Sequence, residues 1–491
     1  MRVAISKKNE VYLRISAPPH INYELSDYFT FDVPNAKYLR SQRKYKWWDG
    51  KIKLYSPGTG ELYVGLFPYL IEWLEQNKYE YEVKDSKFYG LPIQETDNVN
   101  HLAVKGFLRT LNLKHQPRDY QVDAIFQAIK YQRRLILSPT ASGKSMMIYG
   151  LIRWHMRYDR QILLIVPTTS LVEQMYKDFE DYGWQASAYC HKIYGGKDKY
   201  DKDKPVVIST WQSIHKESRE WFDRFDVVIG DEAHNFQAKS LTNILTKMHQ
   251  CRHRIGFTGT LSGAKTHQLV LEGLFGKVNK VTKTSELQRA GYLSKLRIKV
   301  IVLKHPSQKF ENFQDEMDYI VSHDQRNKFI KNLAKDLPGN TLILFNLVEK
   351  HGDPLFELIN SSITDRPVHY VTGEVDVEER ERIRELTEDS ERSLIVASYG
   401  TFSTGINIKN LHNVIFASPS KSKIRNLQSI GRVLRKGENK TTATLYDIAD
   451  DISGNHYRNY TLNHLIERIK IYNEEDFDYE IIEVKLRDKN D

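Results

Sequence analysis

The sequence predicts two tandem α/β domains built on parallel sheets, preceded by a small α+β domain. Three observations carry that reading. From Arg118 onward, near-continuous apolar runs (RRLILS, QILLIVP, PVVIST, FDVVIGDEAH and RIGFTGT) alternate with longer amphipathic segments. Strands apolar on both faces and separated by helices belong to parallel sheets covered on both sides. The pattern fades across 280–300 and starts again with NTLILF, PVHYVTG, RSLIVAS, HNVIFAS and TTATLYDI. Finally, 491 residues suit roughly three domains at about 150 residues each.

The elements follow in chain order. Residues 1–97 read as the small α+β domain. The alternating runs VYLRIS and KIKLYS are strands, SPGTG is a turn before ELYVGLF, and FPYLIEWLEQ has helical spacing. The polar stretch IQETDNVNH (93–101) is the expected linker. A first α/β domain then spans 98–284 and a second 285–491, the latter closing with a helix (YTLNHLIERIKIYNEE) and a last strand (YEIIEVKL). Within that strand Glu483-Val484-Lys485 has the E-x-K form of some metal-dependent nucleases. No paired aspartate has a strand context, so it reads as an edge strand.

Lys and Arg total 72 against 63 Asp and Glu, a net +9, an excess as compatible with a polyanionic partner as with none. The two cysteines, Cys190 and Cys251, have no metal-like spacing, so no disulfide framework or zinc site is expected and a reducing compartment fits. The N-terminus lacks an apolar run of signal-peptide length. No stretch reaches the roughly 18 apolar residues of a membrane helix. The expectation is a cytoplasmic protein (host cytoplasm, if phage-encoded) with no membrane association. No residue specifies the oligomeric state; a monomer is expected.

The sequence SPTASGKS (Ser138, Pro139, Thr140, Ala141, Ser142, Gly143, Lys144, Ser145) lies between the strand RRLIL and the apolar-periodic SMMIYGLIRW. That strand–loop–helix context suits a phosphate-binding loop, whose backbone N–H groups and helix dipole face phosphate oxygens. Lys144 would reach the β- and γ-phosphates of ATP, and Ser145 would coordinate Mg²⁺. A bare G-K-[ST] tripeptide arises by chance in roughly one chain in four of this length, and Ser138 stands where the pattern asks for glycine. The decisive companion is FDVVIGDEAH (225–234), an apolar strand running into two acids. Asp231 would hold Mg²⁺, and Glu232 would orient and deprotonate the attacking water. A strand ending in a solvated acidic turn is the plainer alternative, and the upstream loop argues against it. In QSIGRVLRKG (428–437), helical spacing places Gln428, Arg432 and Arg435 on one face. Guanidinium groups there suit the γ-phosphate, although two arginines on a helix are more often an ordinary basic face.

The ordered series QVDAIFQAI, PTASGKS, VPTTSLVEQ, ISTWQS, DEAH, TGT, ASYGTFSTGINI and QSIGRVLRKG is similar to the motifs of DEAH-type superfamily 2 helicases over roughly 115–437. KYKWWDGKIKLYSPGTGELYVGLFPYL resembles the N-terminal domain of the UvsW-like recombination and repair helicases of T-even-type phages. The resemblance implies two RecA-like P-loop domains with ATP and Mg²⁺ between them. It also implies roles: Gln121, with Arg118 beside it, reads adenine; His234, Thr258, Gly259 and Thr260 link ATP state to closure. Gly405 and Asn407 match the motif near ribose and phosphates, Asn407 replacing the usual aspartate, and Ser398 stands where relatives often have threonine. Thr168, Thr169 and Thr210 match backbone-contacting positions on the nucleic-acid track, though each alone suits capping chemistry.

The first domain adds a basic, aromatic-interleaved run in which Arg43, Lys44 and Lys46 stand beside Trp47 and Trp48. Cations there would grip phosphate and the tryptophans would stack on bases, or the tryptophans form the domain's core. The function that follows is ATP-driven remodelling of branched DNA by unwinding, branch migration or fork regression. Forks and junctions are the expected partners, and RNA is possible. The rivals are a DEAH-type RNA helicase, a restriction motor subunit, and an annealing or binding protein acting without ATP.

Overall fold

The computed structural model describes residues 2–33, 48–84, 89, 99–195, 203–261, 265–405, 408–420, 422, 426–427, 429–431, 434 and 440–486, without the side chains of 237, 265–266, 377 and 403–405. The chain divides into two compact units, Met1–Ser138 with Gly143–Val281, and Pro139–Ser142 with Thr282–Asp491.

The first unit opens with short strands β1 (Val3–Lys7), β2 (Tyr12–Ser16), β3 (Thr30–Asp32), β4 (Lys51–Lys53), β5 (Tyr55–Ser56), β6 (Glu61–Tyr63) and β7 (Tyr81–Val83). Five of them form a mixed sheet, β5-β6-β2-β1-β7, and β3 pairs with β4. FPYLIEWLEQ is the helix Phe67–Gln76, burying Phe67, Leu70, Trp73 and Leu74. The core of this sheet is shared: Leu13, Leu62 and Leu66 belong to the same buried cluster as Phe225, Leu245 and Phe275 of the following α/β region. Gly65 sits so close to that region that a Cβ would lie 1.9 Å from the Glu272 carbonyl oxygen. Tyr69 donates to the Glu272 carboxylate at 2.5 Å, and buried Arg133 bonds the Glu10 carboxylate at 2.7 Å. Burial and the neighbouring Arg133 bring the adjacent Lys7 down to about 8.

The first parallel sheet comprises β8 (Arg133–Leu137), β9 (Ile162–Val166), β10 (Cys190–Ile193), β11 (Val206–Thr210), β12 (Val227–Gly230), β13 (His253–Thr258) and β14 (Val278–Lys280), in the order β10-β11-β9-β12-β13-β8-β14. The second comprises β15 (Lys295–Lys304), β16 (Thr341–Phe345), β17 (Val368–Val371), β18 (Leu394–Ser398), β19 (Asn413–Phe416), β20 (Thr442–Asp451) and β21 (Tyr479–Lys485), in the order β17-β18-β16-β19-β20-β15-β21. Ranked along the chain, both sheets read 3-4-2-5-6-1-7, and every pairing is parallel. Central strands β9, β11, β16 and β18 are buried at every position, which is why they read as near-continuous apolar runs.

Three strands escape the sequence pattern. β10 and β14 are short sheet edges, and β15 alternates charged and apolar residues within the stretch that appears featureless. The E-x-K strand is an edge as expected, with β21 pairing only β15 among the described residues and Glu483 bridging Lys304 at 3.3 Å. The expected linker lies mainly outside the described residues; His101 begins a helix, His101–Thr110, capped by the Asn100 side chain.

Candidate active site

At the carboxyl end of β8 the chain turns through Ser138–Gly143 into the helix Lys144–Met156. Ser138 is fully buried and its N–H donates to the Thr258 carbonyl at 2.9 Å, tying the loop to β13. Ser142 closes the loop on itself, its hydroxyl donating to the Pro139 carbonyl at 2.6 Å. Two left-handed residues shape the turn, Ala141 at φ +66° and Gly143 at φ +82°. A Cβ at Gly143 would lie 2.4 Å from Gln121 Nε2, so only glycine fits beneath that amide. Gln121 is itself fixed, its Oε1 accepting from the Arg118 N–H at 2.8 Å, while Arg118 Nη1 donates to the Tyr120 hydroxyl at 2.8 Å. Lys144 Nζ lies 3.5 Å from the Ser138 carbonyl oxygen. Ser145 Oγ pairs with the Tyr182 hydroxyl at 2.9 Å, a neighbour with no sequence motif to announce it.

Asp231 follows β12 in the same unit, its N–H donating to the Ile165 carbonyl at 2.9 Å. Its carboxyl is buried, and Oδ1 accepts from the Glu232 N–H at 2.9 Å. Burial first, then the Glu232 charge, push Asp231 up to about 7, with Lys144 pulling the other way. Glu232 occupies the left-handed region, φ +49°, uncommon for a residue with a side chain and typical of functional turns. His234 Nδ1 lies 3.0 Å from Thr258 Oγ1 and 3.3 Å from Glu232 Oε2. Thr258 gives its own proton to the Thr260 carbonyl at 2.8 Å, so its oxygen accepts and the His234 proton sits on Nδ1. Burial lowers the His234 pKa. A chain of contacts thus runs from the acidic pair to the TGT segment, in which Gly259 is half-buried.

Arg118, Gln121, Ser138, Gly143–Ser145, Asp231, Glu232, His234 and Thr258–Thr260 lie in the first unit, while Pro139–Ser142 group with the second. Gln428, Arg432, Arg435 and Asn407 lie outside the described residues, as do Arg43, Lys44, Lys46 and Trp47; Gly405 ends the helix Tyr399–Gly405. Trp48 is half-buried, its indole N–H donating to the Lys51 carbonyl at 3.0 Å. Three of the four hydroxyls expected on the nucleic-acid track also have local partners. Thr168 caps the helix Thr169–Asp181, accepting from the Leu171 N–H at 3.3 Å. Thr210 pairs with Ser213 at 2.9 Å and Ser398 with Thr401 at 2.8 Å. Thr169 is exposed at the helix start.

A hydroxyl, a buried carboxyl and a lysine beside a strained acidic turn fit a phosphate-bearing ligand with a divalent cation. Comparison with known proteins agrees. Residues 114–263 match the family described as Type III restriction enzyme, res subunit, and residues 324–437 the helicase conserved C-terminal domain. Over 97% of its length the chain is 35% identical to the ATP-dependent DNA helicase UvsW of Enterobacteria phage T4, covering 98% of that protein. This chain belongs to the UvsW family of helicases. The crystal structure of T4 UvsW matches it at 33% identity with a TM-score of 0.52, over 99% of this chain and all of that one. The DNA 3'-5' translocase XPB2 of Sulfurisphaera tokodaii is 25% identical over 66% of this chain and 79% of its own. As a member of the UvsW family the chain is an ATP-hydrolysing helicase with two RecA-like sheets, and the expected fold class holds.

Proposed function

We propose that this UvsW-family helicase uses ATP to remodel branched DNA, by unwinding, branch migration or fork regression, in recombination and repair. The observation that carries the reading is the convergence of Lys144, Asp231, Glu232 and His234 at the carboxyl ends of β8 and β12, next to the Thr258 end of β13. Lys144 binds the β- and γ-phosphates. Ser145 and Asp231 hold Mg²⁺, which supplies positive charge against the phosphate oxygens. Glu232 orients water and takes its proton. Gln121 and Arg118 read adenine, Gly405 and Asn407 lie near the ribose and phosphates, and Gln428, Arg432 and Arg435 face the γ-phosphate. His234, Thr258, Gly259 and Thr260 pass the ATP state onward. Thr168, Thr169, Thr210 and Ser398 track the DNA backbone, while Arg43, Lys44, Lys46, Trp47 and Trp48 give the amino-terminal domain (1–97) a second DNA contact ahead of motor domains at 98–284 and 285–491. The protein acts as a monomer in the cytoplasm.

The test is steady-state ATP hydrolysis without nucleic acid and with single-stranded DNA, linear duplex, a four-way DNA junction and structured RNA. Stimulation by the junction above linear DNA is expected. Stimulation by RNA alone would leave the motor in place and overturn the substrate.

A further inference from the structure

The second unit carries a basic notch at the end of its sheet remote from the carboxyl-terminal strand ends. The notch has a volume of about 680 Å³ and lies between the helix Thr284–Arg289, the start of β15 and the segment 476–480. β21 pairs with β15 only from Ile298 onward. The first three residues of β15 therefore have no strand on that side, and the gap is the floor of the notch.

The charges are unevenly matched. Lys283 bridges Asp476 at 3.4 Å and Lys299 bridges Glu480 at 3.3 Å, which neutralises both pairs. Arg289, Lys295 and Arg297 line the notch, are exposed, and have no ion-pair partner among the described residues. Only Asp478 faces them as an acid free of such a pair. Lys295 and Arg297 stand two apart on β15 and project to the same face. Unpaired cations held at a recess of this size suit a run of phosphodiesters, and two of the three carry the guanidinium fork that matches phosphate.

We infer that this notch binds the phosphate backbone of a second arm of the DNA. The inference rests on the branched-DNA reading, because a branched substrate presents more than one backbone at once. A ten-residue strand at about 3.3 Å per residue puts the notch roughly 30 Å from the carboxyl end of β15. The notch is thus at the opposite end of the sheet from Ser398, which closes β18 at the carboxyl end and is proposed to track the bound strand. Charge complementarity to polyphosphate selects DNA over an apolar protein partner.

The experiment is binding of the full-length protein to a four-way DNA junction across a KCl series. It compares the parent, the triple variant Arg289→Ala/Lys295→Ala/Arg297→Ala, and a control with the same charge change at exposed lysines elsewhere in the unit, Lys309→Ala/Lys328→Ala/Lys335→Ala. Each phosphate contact contributes about 0.9 to the slope of log K against log salt. The notch variant is expected to lose about 2 to 3 from that slope, and the control less than one such contact. ATP turnover with single-stranded DNA should be unchanged in both, which also shows that the variants fold. A notch variant whose slope equals the parent's or the control's overturns the inference. Failure of the branched-DNA reading is a separate result: the parent's turnover would then not rise with the junction above linear DNA, whatever the slopes.

Discussion

The two parallel sheets share one strand order and use the same place in it for opposite purposes. The hydrogen-bond ladders align them residue by residue. In the first sheet Thr258 stands opposite Leu137 and the next residue, Ser138, donates to the Thr258 carbonyl at 2.9 Å. In the second, Asp451 stands opposite Lys304 and the next residue, His305, donates to the Asp451 carbonyl at 3.0 Å. Ser138 and His305 are thus equivalent, and each is followed by proline. After Ser138 comes the phosphate loop. After His305 the crevice is filled: His305 Nε2 meets Asp450 Oδ1 at 2.9 Å, and Arg326 Nε reaches the same oxygen at 2.8 Å with no side-chain exposure at either partner. Arg326 also donates to the Ala417 carbonyl at 2.7 Å. One sheet turns its crevice into a phosphate loop, and the other closes it with a buried His305–Asp450–Arg326 triad. A shared topology does not by itself make a site; the residues at the switch point do.

The contrast can be broken most sharply at the loop itself. Lys144→Ala should abolish ATP turnover, by about 10²–10³-fold or more, with DNA binding largely kept. His305→Ala at the equivalent crevice should lower stability and leave turnover per folded molecule near the parent's. A large loss of turnover in the His305 variant, measured at matched folded fraction, would mean that the second crevice also serves catalysis.

The same substitution in each sheet should then move stability in opposite directions. Asp450→Asn leaves Arg326 with a buried uncompensated charge, a cost of about 3–5 kcal/mol visible as a lower denaturant midpoint. Asp231→Asn removes a carboxyl that burial already disfavours, so metal-free protein should become more stable at neutral pH while hydrolysis is lost. The pH profiles differ for the same reason. Asp231 is raised to about 7, so its contribution to stability is fullest below the unfolded carboxyl range near about 4 and is lost as pH rises toward 7. Burial would also raise Asp450, but Arg326 and His305 hold it down to about 2. Its contribution is present above about pH 4 and lost as pH falls toward 2. Denaturant melts of the two variants against pH, in metal-free buffer, check both slopes. Parallel slopes would contradict the contrast.

Glu10→Ala probes how firmly the amino-terminal sheet belongs to the first unit. It strands Arg133, whose side chain is 1% exposed, and should cost about 3–5 kcal/mol. A cost below 1 kcal/mol would show the contact to be incidental. The smallest expected effect is Thr168→Ala, the loss of one helix cap, at about 1 kcal/mol in thermal melts. A much larger fall in DNA-stimulated turnover than in stability would give Thr168 a role in the track beyond its cap.

Much of this was legible before any coordinates. RRLIL-SPTASGKS-SMMIYGLIRW and FDVVIGDEAH announce themselves because a phosphate loop and its acidic partner are local strand–turn–helix signals, readable from a few neighbouring residues. The near-continuous apolar runs of β9, β11, β16 and β18 follow equally directly from burial on both faces. β10 and β14 were invisible because edge strands bury little and carry no long apolar run. β15 was missed because Lys295, Arg297 and Lys299 interrupt its amino-terminal half, where the sheet face is open. Tyr182 beside Ser145 had no signal at all, since 37 residues separate them.

By itself, then, the sequence determined the chemistry of the ATP loop, the acidic pair and the α/β class, because each depends on short-range spacing and on which residues avoid water. Only the tertiary structure decided the common strand permutation, the shared core joining the amino-terminal sheet to the first parallel sheet, and the His305–Asp450–Arg326 triad. Asp450 and His305 lie 145 residues apart and meet because β15 and β20 are neighbours. Pairing between distant strands is set by the packing of the whole sheet, and no local pattern encodes it.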